Sequence, residues 1–218
     1  MEHLLFKEIK AFDIWAEALS EIPQEQRGGE WECNYKGWNI IYEQFEDFLK
    51  TSTPSGWTND VKDQLLYIIA RDNEMQRLST DISHSDLAVI TLARYAIQNG
   101  SSHSKWQLAV ILHCLRDRNL AIELLEEFIN DHDEYVSRRA LLELARLNSD
   151  KTEYYCKRAW DNNIHDEMDE YQRIAVLHSL KTVNSPMLST YLNLAKQDGR
   201  KYLVLNAVQI ENEIKIGN

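Results

Sequence analysis

Apolar residues recur at spacings of three and four along most of the chain. Leu5, Ile9, Phe12, Ala16 and Leu19 share one stripe of residues 4–20, which predicts an amphipathic helix. Pro23 and the Gly28-Gly29 pair break the pattern. A second helix is expected over 35–50, with Trp38, Ile41, Tyr42, Phe45, Phe48 and Leu49 turned inward. Residues 51–60 read as a loop in which Thr58 or Asn59 caps the next helix, VKDQLLYIIARD. After a polar stretch at 72–85 come three more helical segments, SDLAVITLARYAIQ, SKWQLAVILHCL and RNLAIELLEEFIN. Further on, Ser185-Pro186 reads as an N-cap followed by proline at the first helical position.

From about residue 104 the helices repeat. Trp106 with Ala109, Tyr135 with Ala140, Tyr171 with Ala175 and Tyr202 with Ala207 each place an aromatic near the start of an apolar run and an alanine within it. The alanines are 31, 35 and 32 residues apart, and LAIELLEEFI, TEYYCKRAW and MLSTYLNLAK lie between as partner helices. Two helices per unit at this period is the mark of an α-solenoid. A small alanine lets two helix axes approach closely, and the flanking Leu, Val and Ile fill the layer between units. The chain here resembles a HEAT-type repeat, whose pattern has an Asp in the turn, then Val-Arg-x-x-Ala and a Leu four residues on. Asp133, Val136, Ala140 and Leu144 match it, with Ser137 where Arg is usual and Arg138 and Arg139 following. Asp166 and Ala175 match in the next unit, with Tyr171 in place of Val. The resemblance implies an all-α fold of stacked helical hairpins, a right-handed α-solenoid. We expect one all-helical domain over 1–218: aromatic-rich N-terminal helices and cap at 1–57, a helical middle at 58–103 and HEAT-like repeats at 104–216.

Composition agrees. The chain is 44% hydrophobic and 10% aromatic, with only 7 Gly and 3 Pro, too few for an all-β protein built on tight turns. Net charge is −11, concentrated as −6 over residues 1–50 and −8 over 119–170. Such a surface repels a phosphate backbone and attracts a basic protein. Acidity also serves solubility alone. The N-terminal MEHLLFKEIKAF has no basic leader and no uninterrupted apolar core, so no secretion signal is expected. No window approaches a membrane span, and a cytoplasmic location follows. Cys33, Cys114 and Cys156 are odd in number and widely spaced, which indicates neither a disulfide framework nor a zinc site. Each is expected to pack as a small apolar residue.

The most conspicuous candidate chemistry is a repeated His-Asp-Glu, at 132–134 and 165–167. Neighbouring side chains diverge, and units stacked one helix apart stand roughly 10 Å from each other, too far for one ion. Each triplet precedes a helix, and Asp131 with Glu134 has the spacing of a capping box. Carboxylates not used in capping, at Asp133, Glu134, Asp166, Glu167, Asp169 and Glu170, would form an acidic binding edge. Glu123, Glu126 and Glu127 share a helix face, read as solvated or as lining a groove. His113 and His178 follow equivalent alanines and read as half-buried packing residues. Four of six tryptophans lie in the first 57 residues, where they form either a sealing core or an aromatic binding surface. Trp31 and Tyr35, in the aperiodic GGEWECNYKGW, are the expected exposed pair. No nucleotide, cofactor or catalytic motif occurs, so neither a cofactor nor a metal is expected.

Three functions fit. The first is a non-catalytic binding module for a basic protein, in its concrete form an immunity protein that neutralises a nuclease-like toxin. The second is a general adaptor in a larger assembly. The third is a HEAT-like DNA glycosylase using Trp106, Trp160 and Asp161, which the acidic charge disfavours. The expectation is therefore a protein partner, with no nucleic acid and no membrane.

Overall fold

A computed structural model describes residues 3–20, 22, 31–161 and 168–217. Pro23, the Gly28-Gly29 pair and the second triplet, His165 with Asp166 and Glu167, lie outside the described residues. Those residues form twelve α-helices and no β-strand, so the fold is all-α. The chain divides into two compact units, Met1–Cys114 and Leu115–Asn218.

In the first unit, α1 (Leu4–Ser20) buries Leu5, Ile9, Phe12 and Ala16, while Leu19 is half-buried. α2 (Trp38–Thr51) buries Ile41, Tyr42, Phe45 and Phe48 and packs on α1. Trp57 closes that layer, stacked on Phe48 at 5.6 Å with its indole N–H donating to Ser52 Oγ at 3.0 Å. α3 (Asn59–Arg71) starts where Thr58 accepts a hydrogen bond from Val61 N, so Thr58 rather than Asn59 is the cap. α5 (Asp86–Asn99) and α6 (Ser102–Ile111) lie against α3 and each other. Gln107 ties α6 to α3 by donating to Ile69 O at 2.7 Å.

The polar stretch at 72–85 is not all loop. It holds a short helix, α4 (Arg77–Ile82), whose Leu78 and Ile82 are fully buried. Asp72 makes this possible: its buried carboxylate accepts from Tyr42 Oη and from Leu78 N, both at 2.8 Å. One aspartate so fixes the start of α4 to the side of α2. Burial raises the Asp72 carboxyl above its ordinary value, against the pull of those hydrogen bonds. The neighbouring Tyr42 hydroxyl is raised as well, first by burial and then by Asp72.

The second unit contains α7 (Arg118–Ile129), α8 (Glu134–Arg146), α9 (Thr152–Asp161), α10 (Asp169–Thr182), α11 (Leu188–Asp198) and α12 (Lys201–Gly217). α7 packs on α8, α9 on α10 and α11 on α12 as consecutive hairpins. α8 also packs on α10 and α10 on α12, so the second helices form a row. Ala140, Ala175 and Ala207 sit within that row and are buried, as is Ala109 on α6. Ser137 explains its own departure from the Arg of the repeat pattern. It is buried, donates to Ile129 O at 2.8 Å and accepts from Gln172 Nε2 at 3.2 Å, joining α7, α8 and α10.

A second repeated signature appears at the helix ends. Asn148 and Asn184 adopt left-handed φ of 50° and 52° after α8 and α10. The next residues turn back: Ser149 N donates to Leu144 O at 3.4 Å and Ser185 N to Leu180 O at 2.9 Å. Their hydroxyls then accept from Lys151 N and Met187 N. Ser185 is therefore a turn residue, and α11 begins at Leu188, two positions later than the Ser-Pro reading placed it.

Candidate interaction surfaces

The acidic residues separate by what their carboxylates already do. Asp133, not Asp131, is the N-cap of α8, accepting from Tyr135 N at 3.0 Å and Val136 N at 3.2 Å. Asp131 instead accepts from Asp133 N at 2.9 Å, holding the turn that precedes the cap, so the D-x-x-E capping box does not form. Glu134 is buried and pairs with Arg138 one turn on, at 2.9 Å. Asp169 is buried at the start of α10. Glu170 reaches across to α12, where its Oε1 accepts from Tyr202 N at 2.8 Å and Leu203 N at 2.9 Å. A carboxylate on one helix thus caps the next in the row, at the positive end of its dipole. Glu126 pairs with Lys151 at 2.6 Å. Glu123 and Glu127 remain, exposed one turn apart on α7 and within ion-pair reach of no cation among the described residues.

The aromatic candidates converge in the first unit. Trp31 stacks on Trp15 at 5.6 Å, and Tyr35 lies 5.1 Å from both Phe12 and Trp15. Both are half-buried rather than freely exposed. Gly37 permits this arrangement: a Cβ there would meet the Tyr35 ring at 2.5 Å. Trp38 stacks on Tyr42 at 5.5 Å, and Arg71 lies over the Tyr67 ring at 5.2 Å. The aromatic residues form a cluster joining α1, α2 and α3, with Tyr35, Trp38 and Tyr42 along a cavity of about 350 Å³.

Trp106 and Trp160 are buried, and Trp160 packs edge-on to Tyr191 at 4.9 Å, so neither indole offers a face to a nucleobase. His113 and His178 are half-buried, bonded to Val110 O at 2.6 Å and Asn206 Oδ1 at 3.1 Å. Of the cysteines only Cys156 is buried, where burial pushes its thiol up to about 12. Cys33 and Cys114 are exposed, contrary to the packing role expected of them. Among the described residues no three His, Cys, Asp or Glu are grouped to hold a metal ion, and no helix is long and apolar enough to cross a membrane.

Sequence reasoning missed one exposed feature of the repeats. Tyr135, Tyr171 and Tyr202 occupy equivalent places near the starts of α8, α10 and α12, and all three are exposed. The Arg138 guanidinium bridges the first two rings, 4.8 Å from Tyr135 and 5.4 Å from Tyr171. The signal was present as the aromatic that recurs before each alanine. Trp106 heads the same pattern but is buried, which hid the difference between core and surface aromatics. No family model, curated protein or solved structure matches this chain.

Proposed function

We propose that the chain is a non-catalytic protein-binding module of the HEAT-like α-solenoid kind, whose partner is a basic protein. Its concrete form is an immunity protein that binds and neutralises a basic, nuclease-like toxin. The observation that carries this reading is the Glu123–Glu127 pair, exposed on α7 without a cationic neighbour among the described residues in a chain of net charge −11. Uncompensated carboxylates cost little in water and gain when a basic surface arrives, which steers association and makes it salt-sensitive. The consecutive hairpins and the row of second helices with buried alanines support the solenoid part.

The test is binding of the natural partner by wild type and by E123K/E127K across a salt series. The proposal expects weaker binding as salt rises and a large loss in the charge-reversed variant. Unchanged affinity would sink the acidic-surface idea, and strong retention on DNA at low salt would move the reading to a nucleic-acid enzyme. A second reading, a scaffold in a larger assembly, is favoured by the exposed row Tyr135, Tyr171 and Tyr202, since tyrosine is frequent among interface anchors. It expects affinity to follow those tyrosines and to be insensitive to charge reversal on α7.

A further inference from the structure

The first unit holds an open groove of about 510 Å³ between α1 and α3. On α1, Phe6, Ile9, Lys10 and Asp13 recur at helical spacing along one wall. On α3, Asp63 and Tyr67 are one turn apart on the other. Phe6 and Ile9 lie at the groove floor, buried in the core, while Tyr67 on the opposite wall is half-buried. The two carboxylates are held in place by tyrosines: Tyr67 donates to Asp13 Oδ1 at 2.6 Å and Tyr95, on α5, donates to Asp63 Oδ1 at 2.8 Å. The other oxygen of each meets no donor among the described residues. Among the described residues Lys10 is the one cation lining the groove, against the two carboxylates of Asp13 and Asp63.

We propose that this groove receives a lysine or arginine side chain from a basic partner protein. This rests on the reading that the partner is basic, and it adds a second contact surface to that of α7. A long basic side chain lays its alkyl stem along the groove and brings its charged head to the free oxygens of Asp13 and Asp63. Carboxylates already fixed by tyrosine hydroxyls lose little further freedom on binding. Charge complementarity selects this occupant over an apolar or acidic side chain, which would leave both carboxylates facing it unpaired.

The test uses the full isotope-labelled chain and a short peptide of alternating arginine and serine, with a glutamate–serine peptide as control, read by amide chemical shifts. The proposal expects the arginine peptide to shift resonances of α1 and α3 around Asp13 and Tyr67, and the glutamate peptide to leave them unmoved. D13N/D63N keeps a carbonyl for each tyrosine while removing the charge. It weakens peptide binding at the groove by on the order of five- to tenfold, while K10E strengthens it. Cooperative thermal unfolding of both variants separates lost binding from lost folding. Shifts spread over the acidic surface without a focus on α1 and α3, or a D13N/D63N affinity equal to wild type, overturn the groove. E123K/E127K leaves the groove shifts in place, so failure here and failure of the α7 surface are read from different resonances.

Discussion

Two aspartates two positions apart, Asp131 and Asp133, hold different parts of one turn, and only the second closes the helix. D133A leaves two N–H groups at the start of α8 without their acceptor and is expected to cost about 1 kcal/mol. E123A and E127A, which lose no internal partner, are expected to stay within roughly 0.5 kcal/mol of wild type. Urea unfolding of the three variants makes the comparison. Asp198 supplies a pH test. Hydrogen bonding from Arg200 and the nearby Arg173 hold its carboxyl below the ordinary 3.8. The unfolded chain therefore binds a proton there more readily than the folded one. The contribution of Asp198 is complete above the unfolded value and is lost as pH falls through the folded one. D198N is expected to lower stability at neutral pH and to flatten the acid limb of the stability profile, measured by unfolding at a series of pH values. The spacing D-x-x-E located this turn in the sequence but not its register. Which carboxylate reaches N–H groups depends on backbone angles at Asp133 that composition does not encode.

The amphipathic helices were legible wherever a full stripe was present, and α1 runs over the same residues, 4–20, that its spacing marks. α4 was not legible. Six residues give too short a window for a period, and its two buried side chains, Leu78 and Ile82, sit among polar residues. Its start depends on Asp72, the residue that ends α3, which is itself anchored by Tyr42 of another element. The repeated Asn148-Ser149 and Asn184-Ser185 turns were visible as dipeptides but carried meaning only once the left-handed φ was known. The repeating alanines, by contrast, were read from size alone, and the structure buries all four. Ala140 is fully buried on α8, which packs on both α7 and α10, so A140L must displace its neighbours. The expected loss is on the order of 3 kcal/mol with retained helical content, by circular dichroism during denaturation. Wild-type stability in A140L would show that the alanine is not at a close crossing.

At the scale of the molecule, net charge suggests a basic partner, and the structure shows which carboxylates are already engaged within the chain. Of the acidic residues singled out by sequence, Asp133, Glu134, Glu126 and Glu170 are engaged in caps and ion pairs, and Asp169 is buried. A run of acidic letters does not distinguish a carboxylate that ends a helix from one that faces water, because both lie near helix starts and on polar faces. The difference is set by neighbours far away in sequence, such as Tyr202 for Glu170 and Lys151 for Glu126. Glu123 and Glu127 emerge as the exposed pair on which a basic partner would act. The direct measurement is capture from the native cell by tagged full-length chain, wild type against E123K/E127K, eluted along a salt gradient. The account predicts a specifically retained protein of basic isoelectric point that leaves at moderate salt and is lost from the variant. A retained partner that is acidic, or one held equally by both chains at every salt concentration, would contradict it.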